Sequence, residues 1–343
     1  MTSTLRFPAE WEPAEAVLIA WPHADTDWAY MLDDIRTTYG HIICAISQYA
    51  KVLVIGPEEP QKQFLPEDTV LENIIYHRMP TNDTWTRDYG PITVDIDGTK
   101  AVVDYQFNGW GLKFASDRDN LATLGLCEAR IIKAPRINRL SFTLEGGSVE
   151  SDGQGLLITT TECLMSPNRN GGLSRADIED ALRTDLGVDN ILWIDHGALA
   201  GDDTDGHIDT LVRLVPPGDT LLYVGCSDPS DEHYECLSAM RADLEALRRP
   251  NGMPFNLIEL PMPDAIYDPD EGIRLPATYA NFLILNDVVL APVYNQPLKD
   301  RHALMALQAA MPDHKIIPVD CRALIRQHGS LHCATMQLPE GVL

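Results

Sequence analysis

No run of about 18 consecutive apolar residues occurs in the chain, so the usual signature of a membrane-crossing helix is missing. The opening residues Met1 to Pro8 lack the apolar core of a secretory signal, and a cytoplasmic location is expected. Basic residues are scarce, 26 Lys and Arg against 51 Asp and Glu, giving a net charge of −25. That balance argues against nucleic acid or an anionic membrane as partner and favours a cationic ligand, although solubility alone explains it equally well. Also absent is any Cys-x-x-Cys pair. The seven cysteines (44, 127, 163, 226, 236, 321 and 333) are odd in number and scattered, so neither a disulfide framework nor a structural zinc site is expected. Most of them sit in apolar contexts such as Ile42-Ile43-Cys44-Ala45-Ile46, as buried thiols do.

What is present is a large core-forming fraction, 45% hydrophobic in 343 residues, and a repeated grammar. Residues 16–21 and 51–56 are short apolar runs separated by helical spacing over 28–50, and Asn73 to His77 reads as a third strand. Ile92 to Ile96 and Ala101 to Tyr105 flank Asp97-Gly98, a pair that accepts positive φ and so predicts a hairpin. A helix over 119–127 and a strand over 130–135 follow. The pattern then recurs three times. One round has a hairpin around Asp152-Gly153, a helix over 174–186 capped by Ser174, and a strand from Asn190. The next has strands 210–215 and 220–224, a helix over 232–247 and a strand over 256–260. The last has strands 279–284 and 288–290, a helix over 300–310 and a strand over 315–319.

Each round carries a polar or reactive landmark after its loop: Asp88, Glu145, His207, Asn281 and Cys333, spaced 57, 62, 74 and 52 residues apart. Units of this size cannot each bury a sheet face alone, so five of them should pack around an axis in one domain spanning 1–343. Their landmarks would then converge. A doubly wound parallel sheet is the competing fold, and the repeated hairpins argue against it.

The converging set is Asp88, Glu145, His207, Asp209 and Cys333. Cys333 follows Gly329-Ser330-Leu331-His332, a turn able to present a thiol to a cleft, and it is the candidate nucleophile. Strand alternation would put His207 and Asp209 on one face and point His332 away from the thiol. His302, His314, His328 and His332 read as surface or loop residues. A metal hydrolase is the serious rival, since an imidazole with carboxylates suits zinc or manganese, but it leaves Cys333 without a task. A papain-like amidase would need an amide-type orienting partner in place of carboxylates. Carboxylates crowding a thiol raise its pKa, so the cage makes sense if a cation enters it. A guanidinium fits: two carboxylates can grip it by paired charge-assisted bonds, fixing its central carbon for attack.

Six stretches carry a family resemblance: Phe7-Pro8-Ala9-Glu10-Trp11-Glu12-Pro13, Trp85-Thr86-Arg87-Asp88-Tyr89-Gly90-Pro91, Phe107-Asn108-Gly109-Trp110-Gly111, Leu144-Glu145-Gly146-Gly147-Ser148, Asp205-Gly206-His207-Ile208-Asp209 and Gly329-Ser330-Leu331-His332-Cys333. In this order they resemble the signatures of agmatine deiminases and bacterial peptidylarginine deiminases. The resemblance implies a five-bladed α/β propeller of the guanidino-group-modifying class. It implies that Cys333 attacks the guanidinium carbon, that His207 is the acid and then the base, that Asp88 and Asp209 hold the guanidinium nitrogens, and that Glu145 orients the substrate or His207. Trp85 and Trp110 would wall the pocket. No cofactor and no metal are implied.

Asp203 stands where agmatine deiminases commonly carry a glutamate that meets the distal ammonium of agmatine, and it is one methylene shorter. Further departures are Pro167-Asn168-Arg169-Asn170-Gly171-Gly172, Leu112 after the Asn-Gly-Trp-Gly run, and Gln327-His328-Gly329-Ser330 before the thiol. With no extra region for docking a protein, agmatine is the favoured substrate over peptidylarginine. Assembly into a homo-oligomer is left open.

Overall fold

A computed structural model of the chain describes residues 4–343. The fold is mixed α/β, with five separate sheets of three or four strands among the described residues. One design runs through them: an antiparallel pair, then a helix that crosses back to add a parallel strand. It is plain in Val149–Ser151, Leu156–Thr160 and Asn190–Ile194, and again in Val212–Val215, Thr220–Gly225 and Asn256–Pro261. Leu283–Leu285, Val288–Val293 and Lys315–Asp320 repeat it. In the fourth sheet Ile92–Ile96 and Thr99–Gln106 form the hairpin, Arg136–Thr143 adds in parallel, and Leu5–Arg6 pairs on the outer edge. The fifth joins distant parts of the chain: Met336–Pro339 pairs antiparallel with Ala14–Ala20, which lies parallel to Lys51–Gly56 and then Ile74–Arg78. These antiparallel pairs exclude the doubly wound alternative.

The local signals act as their chemistry dictates. Asp97 and Gly98 take φ of 52° and 82° at the hairpin tip. Ser174 caps the helix Arg175–Leu186 in a reciprocal capping box with Asp177. Central strands such as Val52 to Ile55 are buried throughout, as both faces are covered. Among the described residues no helix is long and apolar enough to cross a membrane.

Four expectations are corrected. Residues 130–135 are irregular and the strand begins at Arg136, because Pro135 offers no N–H to a sheet. Thr210 belongs to a single helical turn, Ile208–Leu211, and only Val212–Val215 is strand. Residues 279–282 are not strand either; Leu283–Leu285 is. The segment 331–334 is a turn, so strand alternation does not apply to His332. In the last three cases the backbone is out of the sheet at or beside a landmark side chain, His207, Asn281 or Cys333.

A buried cation ties these turns together. Arg213, fully buried in Val212–Val215, pairs with Glu150 and with Glu10, the latter at 2.7 Å. It also donates to the carbonyls of Phe282 and Ala280 and lies 3.2 Å from His332 Nε2. Glu10 in turn accepts from the Ile284 amide at 2.7 Å. One guanidinium thus spans segments that lead into four of the sheets. Burial opposes its charge, but Glu10 and then Glu150 outweigh that and raise its pKa. Arg213→Ala would leave two buried carboxylates unpaired, so a loss of about 3–5 kcal/mol is expected in urea unfolding. A loss below about 1 kcal/mol would contradict this role for the residue.

Candidate active site

The five landmarks stand in turns just ahead of an antiparallel-paired strand in each of five different sheets. Asp88 lies in the helical turn Thr86–Tyr89, Glu145 immediately before the turn Gly146–Ser148, and His207 at the N-cap of Ile208–Leu211. Asn281 and Cys333 precede Leu283–Leu285 and Met336–Pro339. A tight turn at a strand's entrance lets a side chain point along the sheet's end instead of to either face, so separate sheets can contribute to one centre.

Gly147 marks that centre. A methyl group there would lie 2.7 Å from His207 Nδ1, 2.8 Å from Asp88 Oδ1 and 3.1 Å from Asp209 Oδ2, so three ionisable side chains close on one glycine. Its amide donates to Asp88 Oδ1 at 3.0 Å, while Trp110 Nε1 donates to Asp88 Oδ2 at 2.9 Å. His207 Nδ1 faces Asp88 Oδ1 and Nε2 faces Glu145 Oε2, both at 3.5 Å. The Cys333 thiol points to Asp209 Oδ2 at 3.6 Å and receives the Asn281 amide at 3.2 Å. Asn281 Oδ1 accepts from the backbone of His332 and Cys333 at 2.9 and 3.2 Å, clamping the thiol's turn with its other end.

The charges fall into two classes. Glu145 and Asp209 have close basic partners in the chain. Burial would raise Glu145, but the nearby His207 ring and the Arg169 charge hold it below its usual range. Arg169 Nε donates to Glu145 Oε2 at 2.7 Å, and its other nitrogens hold Asp205 and the Thr204 carbonyl in the loop before His207. Asp209 is kept low against burial by His332, whose Nδ1 lies 2.7 Å from Asp209 Oδ2 while Nε2 lies 2.7 Å from Glu10. Asp88 and Cys333 belong to the other class. Burial pushes Asp88 up to about 6, against the pull of His207. Burial, then Asp209 and Asp88, push the Cys333 thiol well above its ordinary value. For His207 burial works downward, yet Asp88 foremost among its neighbours raises it well above the ordinary imidazole value.

A narrow pocket ends on this constellation, with Asp88 and Cys333 in its lining. Trp85 and Trp110 wall it. Trp110 holds a left-handed backbone, φ 55°, between Gly109 and Gly111, a strained conformation for a bulky residue that aims its indole N–H at Asp88. Asp27, Asp83 and Asp203 also line the pocket, whereas no Arg or Lys does. Gly329 lies flat against Trp85, where a Cβ would meet the ring at 2.4 Å.

Of the residues singled out in the sequence, Cys333, Asp88, His207 and Asp209 come together, Glu145 backs His207, and Trp85, Trp110 and Asp203 line the pocket. His207 and Asp209 share the centre through a helical turn instead of strand alternation. His332, expected to turn away at the surface, is buried between Asp209 and Glu10. His328 lines the pocket and lies 3.7 Å from Asp203, while His302 is exposed and His314 half-buried. Sequence reasoning left Arg169, Asn281 and Arg213 without roles. Arg213, a charge inside Val212-Arg213-Leu214-Val215, carried a readable signal: a buried cation requires buried partners.

The family model for Porphyromonas-type peptidyl-arginine deiminase matches residues 6–339. The chain belongs to that family. Among its relatives, the agmatine deiminase of Pseudomonas aeruginosa is 35% identical, with 97% of this chain and 95% of the relative covered. A solved structure of a putative arginine deiminase from Porphyromonas gingivalis is 49% identical, with 99% of each chain covered and a TM-score of 0.92. A cysteine-to-serine variant of C. jejuni agmatine deiminase with substrate bound is 34% identical, covers 100% of this chain and 98% of its own, and has a TM-score of 0.91. The family resemblance read from the motifs therefore holds over nearly the whole chain.

Because Asp209 is the foremost charge raising the Cys333 thiol, Asp209→Asn should lower the pH at which Cys333 is alkylated by iodoacetamide, followed by peptide mass spectrometry. An unchanged or raised profile would contradict that electrostatic coupling.

Proposed function

We propose that the protein is an agmatine deiminase, hydrolysing agmatine to N-carbamoylputrescine and ammonia. The observation that carries the reading is a pocket ending at Cys333 and Asp88, with Asp209 beside the thiol, and further lined by Asp27, Asp83 and Asp203 with no Arg or Lys among the described lining residues. A guanidinium at the floor would be gripped by Asp88 and Asp209. The acidic lining would then suit a distal ammonium and oppose the carboxylate of free arginine. Burial pushes Asp83 up to about 7, so an arriving cation would draw it to its charged form.

In this mechanism the substrate's charge offsets Asp88 and Asp209 and releases the thiolate that they otherwise suppress. Cys333 Sγ adds to the guanidinium carbon, and His207, held as the imidazolium, protonates the departing ammonia. The amidino-thioether that remains is attacked by water whose proton His207 takes, and the C–S bond breaks to return the thiol. Glu145, anchored by Arg169, holds His207 from behind. No step calls for a cofactor. The five sheets act as blades of a propeller in one domain over 1–343, each sending one landmark turn to the axis. The kinship to a putative arginine deiminase favours a second reading, deimination of free or peptide-bound arginine.

Ammonia release is expected to show the highest kcat/KM with agmatine against free arginine and a blocked arginyl peptide, and preference for either arginine form would overturn the substrate assignment. Cys333→Ala should lower kcat by at least about a thousandfold, and full activity would remove the covalent route. Asp88 must be charged to grip the guanidinium and its pKa is about 6, so kcat/KM for agmatine should fall as pH drops through that value. A profile flat down to pH about 4.5, near an ordinary carboxylate, would exclude Asp88 as that grip.

A further inference from the structure

Behind His207, on the side of Glu145, three donors of different chemistry meet. Cys163 closes toward them from the turn Thr161–Leu164 that follows Leu156–Thr160, and it is fully buried. It has no part in the reaction proposed above. Its Sγ lies 3.9 Å from Glu145 Oε2, which is itself 3.5 Å from His207 Nε2. One donor atom from each of Glu145, Cys163 and His207 falls within 4.8 Å of the others. Tetrahedral zinc, with sulfur at about 2.3 Å and nitrogen or oxygen at about 2.0–2.2 Å, separates its ligands by roughly 3.3–3.8 Å, so small side-chain rotations would complete the set.

Independent features point the same way. Glu145 Oε1 and both His207 ring nitrogens are buried and make no hydrogen bond among the described residues. Arg169 holds Glu145 by Oε2, leaving Oε1 for a ligand. Asp88 stands 3.5 Å from His207 Nδ1, the arrangement in which a carboxylate orients an imidazole that binds metal through its other nitrogen.

We propose that Glu145, Cys163 and His207 form an inhibitory site for zinc or a similar thiophilic divalent cation. On binding, the metal forms bonds to the Cys163 sulfur, His207 Nε2 and a Glu145 oxygen. The Cys163 thiol and the His207 Nε2–H each give a proton to solvent, and the fourth position holds water. The set excludes magnesium and calcium, which take oxygen donors. Inhibition, as distinct from binding, rests on the deiminase reading, because a metal on Nε2 takes His207 out of proton transfer.

Cobalt(II) titration of metal-free protein tests binding without turnover, through the near-ultraviolet thiolate-to-cobalt band. The band is expected in the unaltered protein and in Cys333→Ser, and lost in Cys163→Ser. His207→Gln gives a second arm and should weaken or shift it. Zinc should inhibit ammonia release reversibly on chelation, and in Cys163→Ala its potency should fall by about tenfold or more while basal turnover persists. No band in the unaltered protein, or a band that disappears with Cys333 and survives without Cys163, overturns the site. Binding with no deiminase activity would instead sink the functional reading and leave the site standing.

Discussion

Carboxylates buried beside a thiol repel the thiolate, and that constraint shapes the centre of this protein. Asp88 and Asp209 press on Cys333, which therefore stays protonated and donates to Asp209. Burial of charge is costly unless each charge has a partner, and only some of these groups have one in the chain itself. Glu145 has Arg169 and Asp209 has His332. Asp88 has neutral donors from Trp110 and Gly147, and its nearest cationic neighbour, His207, is at 3.5 Å. Asp88 thus has no charged hydrogen-bond partner in the chain, and in the proposed reaction the substrate supplies one.

Holding such a cage open without collapse requires a rigid outer shell. Arg213 gathers Glu10, Glu150 and the carbonyls of Ala280 and Phe282, and Glu10 passes the network through His332 to Asp209. Asn281 fixes the thiol's turn from the segment leading into another sheet. The groups nearest the thiol are thus set by residues that never reach the pocket, which is how side chains stay within the narrow tolerances that chemistry demands.

Much of the fold was legible because its signals are local. Asp97-Gly98, Asp152-Gly153 and Ser174 mark their turns and cap by backbone chemistry alone, and alternating apolar runs mark the strands. The landmark residues were legible because polar groups recur at one place in the repeat. What escaped was set by tertiary contact. The single helical turn Ile208–Leu211 is too short for periodicity to register, and four residues of Ile-Asp-Thr-Leu carry strand propensity as readily as helix. His332 looked like a loop residue because nothing near it in sequence pairs with it; its partners Asp209 and Glu10 are 123 and 322 residues away. Arg169's hold on Glu145, across 24 residues, was hidden for the same reason.

The strand Met336–Pro339 completes a sheet begun by Ala14–Ala20, and the thiol's turn immediately precedes it. Ala14–Ala20 therefore keeps that edge unpaired until the chain through Met336–Pro339 has been made, and pairing across such a separation is slow. The thiol comes to its place together with that strand. Closing this sheet and seating the thiol, together with the His332 that pairs with Asp209 and Glu10, are therefore one event.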